Sequence, residues 1–510
     1  MLNITPLARF WLTRQARFYD RCVSPDNVEE IQRKVLAQLI QKARSTSYGR
    51  LYNFDKIRSY RDFAKSVPVV EYPEIRQWIE RMVFGEKDVL WPGYCRRFAQ
   101  SSGTSDGKSK YIPITDQSLR SNHYPGASLS LAFYLKQVKD SKIFSGKSFI
   151  LGGSYANEIS HLPKGVRVGD LSASLIDCIN PVVNLVRVPS KKIALMADWT
   201  EKLPALVKAS IHQNITNISG VPSWFLTVLK NVINEAGAST IHDVWPNLEV
   251  FFHGGIAFGP YKEQYRQITD PAKMHYQENY NASEGFFATQ DSLDVPAMRL
   301  LLNIGVFYEF IPLDQIGQPF PKALPPWEVE PGKTYALIIT ACNGLWRYAI
   351  GDTVEIQSIN PLRIKIAGRT KCFINAFGEE LMVHNADTAI VQAARETNAS
   401  VADFTAGPVF ASGNRRGHHR WLIEWNRLPD SIDRFAECLD KALQGVNSDY
   451  QAKRSGNLFL DPPQIISAEK GTFDRWLAST GKLGGQRKVP RLSNDPTLID
   501  NILSVTNHEN

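Results

Sequence analysis

The sequence predicts an α/β protein. A large N-terminal domain of parallel sheets flanked by helices, plus a distorted β-barrel, is followed by a smaller C-terminal α+β domain. Three observations predict this. Short apolar runs alternate with helical stretches between residues 90 and 360. Two further strand-like runs follow with no helix between them, only a Pro-rich stretch. The charge balance then changes sign: residues 1–371 hold 44 Lys+Arg against 34 Asp+Glu, and residues 372–510 hold 15 against 17.

Taken in order, residues 27–44 set Ile31, Val35, Leu36, Leu39 and Ile40 at helical spacing with charges opposite, and Gly49 follows as a stop. Residues 71–84 form a second amphipathic stretch with Pro73 near its start. Both read as packing elements of an N-terminal cap. Residues 148–151, 215–218 and 248–252 are short apolar strands, with helical stretches at 200–211 and 223–235. Residues 301–311 and 333–340 read as strands on either side of the Pro-rich stretch 319–331, and suggest an appended sheet or distorted barrel. A second domain is expected to begin near Lys371. In it, residues 383–397 and 431–444 are helical, and 409–410 and 421–425 are strands. The expected division is 1–370 and 371–510, the second part being small and mobile.

Composition excludes several classes. At 43% hydrophobic and 22% charged residues, the 510-residue chain is neither disordered, collagen-like nor a heptad repeat. The longest apolar runs are about five residues against the ~20 of a membrane-spanning helix. The N-terminus interleaves Arg9, Arg14, Arg17, Asp20 and Arg21 with its apolar residues, unlike a signal peptide. Six scattered cysteines form no C-x-x-C pair, which leaves no zinc or redox motif and suits a reducing cytoplasm. The net charge of +8 includes no run of five Lys/Arg. A mildly basic solvated surface is expected, with no nucleic-acid and no membrane partner. H-E-x-x-H is absent, so zinc-protease chemistry has no foothold; the G-x-S-x-G spelling at Gly103-Thr-Ser-Asp-Gly107 leads into an extended Pro-containing stretch and not into the helix that a serine-hydrolase elbow requires.

Five stretches carry candidate chemistry. The first is SSGTSDGKSK, residues 101–110. Glycines let backbone N–H groups approach an anion, and lysines supply charge. A Walker loop needs four residues between its glycines, whereas Gly103 and Gly107 are separated by three. Tyr111-Ile112-Pro113-Ile114 is also extended, so a strand–loop–strand phosphate loop is expected; the alternative is a plain Gly/Ser hairpin. The second is YNASEGFF, residues 280–287, about 25 residues after His253-Gly254-Gly255. Its Ser283-Glu284 pair can bind a phosphate oxygen and a Mg²⁺ ion together, although such a pair is more often a helix cap. The third is WRYAIGD, residues 346–352, whose Gly-Asp reads as a turn and whose Asp352 can accept ribose hydroxyls. The fourth, residues 368–381, joins the domains, with Arg369 within reach of a nucleotide. The fifth is QRKVPR, residues 486–491, in a Gly-rich loop. The histidines receive a bland reading: His418-His419 in an exposed turn, His253 structural or pocket-lining, and His123 near the phosphate loop.

In this order the motifs resemble the adenylate-forming acyl-CoA synthetase and luciferase superfamily, and more closely its Gretchen Hagen family of acyl acid amido synthetases. The family pattern S-S-G-T-[ST]-x-G-x-x-K matches residues 101–110, Y-x-x-S-E matches 280–284, [YW]-R-Y-x-x-G-D matches 346–352 and Q-x-K-x-P-R matches 486–491. SGVPSWF (219–225) and YEFIPL (308–313) also look familial. Ala282 stands where plant members commonly carry Ser, and Gly285 follows the Glu. Gly378-Glu379-Glu380 looks more like the wider superfamily. The chain thus looks like the shorter, bacterial-type branch.

The resemblance implies a two-step ligase. ATP and a carboxylic acid give an acyl-adenylate and pyrophosphate; an amine, expected to be an amino acid, then displaces AMP. ATP and Mg²⁺ are the implied cofactors. Ser101, Ser102, Gly103, Thr104 and Lys110 would hold the β- and γ-phosphates, with Lys108 a further candidate. Ser283 would bind the α-phosphate and Glu284 the Mg²⁺. Gly254, Gly255 and Tyr280 would flank adenine, Asp352 would bind ribose and Arg369 ribose or phosphate. Lys488 would swing in with the small domain, about Thr370-Lys371, to stabilise the adenylation transition state. Two alternatives remain open: an acyl-CoA ligase using the same first step, and a non-enzymatic anion-binding scaffold.

Overall fold

The structure is a computed structural model. It describes residues 3–101, 110–155, 157, 159, 161–255, 258–316, 318, 321–370, 373–374, 376, 379, 381–410, 417–447, 450–451, 454, 460–480, 489–493 and 495–506. Contacts divide the chain into two compact units. One is Met1–Ile350 with Glu355–Lys365; the other is Gly351–Val354 with Ile366–Asn510.

The first unit opens with helix α1 (Thr5–Cys22) and helix α2 (Val28–Ala43). The helix Tyr72–Val83 follows, started by Pro73 and buried along Ile75, Ile79, Met82 and Val83. Strands β1 (Arg97–Ser101), β2 (Lys110–Pro113) and β4 (Arg167–Gly169) make a three-stranded sheet in the order β2-β1-β4, in which β1 and β2 are an antiparallel hairpin. The two strands expected on either side of the loop are therefore observed; the loop itself, 102–109, lies outside the described residues.

The main sheet begins with β3 (Lys147–Ile150), β5 (Arg187–Val188), β6 (Ile215–Gly220), β7 (Val250–Gly254) and β8 (His275–Ala282). Pairing between these neighbours is parallel in the order β5-β3-β6-β7-β8. The helices Trp199–Ser210 and Pro222–Ala236 connect the parallel strands. Leu206, Phe225 and Leu229 from these helices meet Phe149, Ile218 and Phe251 from the strands in one core.

Antiparallel strands extend this sheet: β9 (Gly285–Thr289), β10 (Met298–Leu300), β11 (Val306–Pro312), β12 (Thr334–Ala341), β13 (Tyr348–Ile359) and β14 (Leu362–Arg369). The complete order is β11-β12-β13-β14-β10-β9-β8-β7-β6-β3-β5. No closed barrel forms among the described residues. The single strand expected over 301–311 is divided. Gly305, at φ +75°, turns the chain, and its carbonyl accepts from Cys342 N at 3.0 Å. Gly351-Asp352, expected in a turn, lies inside β13; Gly351 takes φ +92° there.

The second unit carries the short pair β15 (Phe373–Ile374) and β16 (Leu381–Met382). Its main sheet is β17 (Ser400–Val409), β18 (His418–Arg427) and β19 (Gln464–Ala468). Alternation along β18 sets its layers. Trp421 and Ile423 face a core with the helices Val383–Glu396 and Ile432–Val446, while Leu422 joins Phe473, Ile499 and Ile502. The exposed turn expected at His418-His419 is corrected here. His419 is fully buried in β18, its ring nitrogen 2.8 Å from the carboxylate of the equally buried Glu379. Two adjacent histidines next to Gly and Arg resemble a turn, yet this pair follows the period-2 pattern of a strand.

Candidate active site

In an open α/β sheet, ligands bind beyond the carboxyl ends of the parallel strands. Gly254 and Gly255 end β7, and Tyr280 to Glu284 end β8, so the fold brings these two motifs side by side. Gly254 pairs in register with Asn279. A Cβ on Gly254 would lie 2.2 Å from the Asn279 carbonyl oxygen, and Gly255 holds φ +81°. Both positions thus require glycine for the backbone itself. Tyr280 is buried, its ring edge-on to Phe287 at 5.0 Å. His253, just before the glycines, stacks on Phe258 at 4.3 Å. Burial pushes its imidazole down to about 3, so it is neutral near pH 7.

Ser283 and Glu284 form the two-residue tip of the β8–β9 hairpin, since Ala282 pairs with Gly285. They are not a helix cap. Each is only 7% exposed. A buried carboxylate at a turn needs a well-fixed backbone, and two asparagines supply one. Asn122 Nδ2 donates to the Phe286 carbonyl at 2.9 Å and to the Ile304 carbonyl at 3.1 Å, while Asn122 Oδ1 accepts from Phe286 N at 2.7 Å. Asn343 Nδ2 donates to the Glu284 carbonyl at 3.0 Å. Both asparagines are almost wholly buried.

The same two segments reach the β1–β2 hairpin. Lys110 opens β2, with its ammonium 5.8 Å from the centre of the Tyr72 ring, and Tyr111 N donates to Tyr72 Oη at 2.8 Å. Two residues after β2, Thr115 Oγ1 donates to the Cys342 carbonyl at 2.9 Å, next to Asn343. The helical segment that follows β2 then delivers Asn122. The base of one hairpin and the tip of the other are therefore tied together by Thr115, Asn122 and Asn343. Ser101 closes β1, but its side chain, and all of Ser102, Gly103, Thr104 and Lys108, lie outside the described residues.

Asp352 is buried in the second unit. Thr370 N donates to the Gly351 carbonyl at 2.8 Å, which ties the two ends of the chain that enter that unit. The Arg369 side chain, Lys371 and Lys488 lie outside the described residues. Not every motif residue faces chemistry. Arg347 is buried in an ion pair with Glu309, at 2.8 to 3.1 Å, and donates to the Ala64 and Val67 carbonyls. That pair joins the WRYAIGD and YEFIPL stretches, and Trp346 Nε1 donates to the Leu90 carbonyl at 3.1 Å. In QRKVPR, Arg491 ion-pairs with Asp403 and its guanidinium lies 4.5 Å from the Phe404 ring centre, so this arginine anchors the loop end.

Neither Asn122 nor Asn343 lies in one of the five candidate stretches. Asn343 had a weak signal, the Asn-Gly turn pair between two strand-like runs; Asn122 had none. Among the described residues no group of three or more His, Cys, Asp or Glu could hold a metal by itself. A lone Glu284 carboxylate fits Mg²⁺, which is commonly held by one or two carboxylates together with substrate phosphates.

An open sheet with paired glycine and Ser-Glu motifs at its parallel strand ends, and the β1–β2 hairpin tied to them, is the fold of an adenylate-forming enzyme. The chain belongs to the GH3 (Gretchen Hagen) family: it matches that family's N-terminal domain over residues 23–274, its central domain over 299–369 and its C-terminal domain over 384–497. It is 23% identical to the indole-3-acetic acid-amido synthetase GH3.4 of Arabidopsis thaliana, over 91% of this chain and 89% of that one. It is 22% identical to the jasmonoyl–L-amino acid synthetase JAR6 of Nicotiana attenuata, over 91% and 90%. The solved GH3.15 acyl acid amido synthetase shares the fold at TM-score 0.78 and 18% identity, over 96% of each chain. A 2-hydroxyisobutyryl-CoA ligase in its postadenylation state shares it at 0.58 and 12%, over 94% and 92%.

Proposed function

We propose that this chain is an ATP-dependent acyl acid amido synthetase: it adenylates a carboxylic acid and passes the acyl group to the amine of an amino acid, releasing AMP and pyrophosphate. The observation that carries this reading is the pairing of the phosphate-loop hairpin with the buried Ser283-Glu284 tip through Thr115, Asn122 and Asn343. Full-length similarity to acyl acid amido synthetases supports it. A carboxylate is a poor electrophile, and adenylation gives it a good leaving group. Phosphoryl chemistry of this kind needs positioning and charge stabilisation more than covalent catalysis.

In this reading Ser101, Ser102, Gly103, Thr104 and Lys110 hold the β- and γ-phosphates, and Ser283 takes an α-phosphate oxygen. Glu284 is the residue that would hold Mg²⁺, which when bound offsets phosphate charge. Gly254, Gly255 and Tyr280 flank the adenine, and Asp352 accepts the ribose hydroxyls, with Arg369 beside them. The C-terminal part, residues 371–510, reorients about Thr370-Lys371 between half-reactions and brings in Lys488. We place the chain in the shorter, bacterial-type branch on Ala282 and Gly285, and in the cytoplasm on the five free cysteines among the described residues.

The test is product analysis. Pyrophosphate release is measured with ATP and a panel of carboxylic acids, then products are identified with amino acids or CoA as acceptor. An amide supports the reading. A thioester as the sole product would favour the acyl-CoA ligase, whose fold neighbour shares the sheet. No nucleotide-dependent shift in melting temperature would favour a scaffold.

A further inference from the structure

The outer face of α1 has no role in the site described above. Its inner face is firmly seated. Thr5, Ala16 and Tyr19 are buried, Gln15 Oε1 accepts from Ser128 Oγ at 2.8 Å, and Arg9 donates to the Lys139 and Ser141 carbonyls. Asp20 pairs with Lys136 at 2.6 Å and with the buried Arg299 at 2.5 Å. This last pairing matters, because Asp20 is the one acid of α1 and it turns inward.

The opposite face exposes Leu7, Phe10, Trp11 and Phe18 at 59 to 68%. Arg14, Arg17 and Arg21 are exposed beside them. At 100° per residue, Leu7, Trp11, Arg14, Phe18 and Arg21 fall on one stripe, with Phe10 and Arg17 on its flank. Three of the five exposed aromatic side chains recorded for the described residues sit on this one helix. The loop after the helix Tyr124–Gln137 adds exposed Lys139 and Lys142 against one exposed Asp140. The first 371 residues are basic as a whole.

We propose that α1 is a docking surface for an anionic phospholipid bilayer, lying in the plane of the headgroups. Aromatic rings and leucine enter the headgroup boundary while arginines pair with lipid phosphates; this is the chemistry of interfacial helices. The sequence reading expected no membrane partner, and no described helix is long and apolar enough to cross a bilayer. Lying on a surface needs no span. Charge complementarity selects lipid over a second copy of the chain. A twofold self-contact would set Arg14, Arg17 and Arg21 against the same arginines, with no carboxylate on the face to answer them.

The experiment is co-sedimentation of the whole chain with vesicles of phosphatidylcholine alone and of phosphatidylcholine mixed with phosphatidylglycerol. Two variants accompany it, Trp11→Ser/Phe18→Ser and Arg14→Glu/Arg17→Glu. Both change exposed side chains, and far-UV circular dichroism together with ATP-dependent pyrophosphate release checks that each is folded. The expected result is binding to the anionic vesicles only, weakened by salt and reduced about tenfold or more in each variant. Absence of wild-type binding to anionic vesicles overturns the proposal. So do equal binding to neutral vesicles, binding that both variants retain, and a concentration-dependent dimer that the variants abolish while vesicles are ignored.

Discussion

The hairpins β1–β2 and β8–β9, to which the proposed function assigns the phosphates of ATP, are built in opposite ways. The first joins its strands through eight residues, 102–109, made of Ser, Gly, Thr, Asp and Lys. The second turns in two residues, Ser283-Glu284, and its backbone is held by amides from Asn122 and Asn343. In the proposed function the glycine-rich connection would recognise phosphate with its own backbone N–H groups, so the motif would itself be the site. A carboxylate at a tight turn acts through one side chain, so its placement depends on groups far away in sequence. The second kind of site is therefore more vulnerable to changes outside its motif.

The largest expected effect tests the β8–β9 tip itself. Glu284→Gln keeps the shape and removes the charge. Acid-dependent pyrophosphate release should fall by about 100-fold or more, with the melting temperature nearly unchanged. Near-normal release would reduce Glu284 to a structural turn residue.

The next tests the supports. Asn343→Ala removes the donor to the Glu284 carbonyl and should lower pyrophosphate release by about 10- to 100-fold, the range seen for groups that orient a ligating residue. Asn122→Ala leaves Phe286 N and two carbonyls unanswered in a buried place, and should also cost about 1–3 kcal/mol of stability in urea unfolding. An Asn343→Ala enzyme with unaltered kcat would break the contrast between the hairpins.

A third change leaves both hairpins alone. Asp352→Ala should weaken ATP binding by about 1.5–3 kcal/mol, measured calorimetrically, if the carboxylate accepts the ribose hydroxyls. Unchanged affinity would remove Asp352 from the nucleotide site.

The smallest effect is on acid stability. His253 lies in β7 just before Gly254 and His123 follows Asn122, and burial lowers them to about 3 and about 4. The unfolded chain takes up protons near pH 6.5 that the folded chain refuses, so stability is lost as pH falls below about 6.5. Each histidine should lower stability by about 2 kcal/mol between about pH 7.5 and about pH 5. Urea unfolding of His253→Gln and His123→Asn at both pH values should show a shallower loss than the parent. Equal losses would show that these groups titrate normally in the fold.

Much of the scaffold was legible from sequence. The period-3.6 pattern over residues 27–44 and Pro73 located two helices, and the apolar runs at 148–151, 215–218 and 248–252 located the parallel strands. The extended Tyr111-Ile112-Pro113 located a strand where a Walker loop would open a helix. What escaped had physical reasons. Gly305 breaks an apolar run that reads as one strand. Gly351-Asp352 resembles a turn until β14 pairs beside it. His419 is strand-buried because Glu379 answers it from a distant segment. Asn122 and Asn343 act through contacts more than 50 residues away in sequence, which no local pattern encodes. The exposed face of α1 was equally hidden: in sequence its arginines merely interleave with apolar residues, and only burial shows which face is covered.

The most direct measurement is exchange of radiolabelled pyrophosphate into ATP, with no amine and no CoA present. An enzyme that forms an acyl-adenylate at the two joined hairpins should catalyse this exchange only when a suitable carboxylic acid is added. Exchange that needs the acid, and is lost in Glu284→Gln, is the predicted result. An enzyme that binds ATP but shows no exchange with any acid, or exchanges without one, would contradict it.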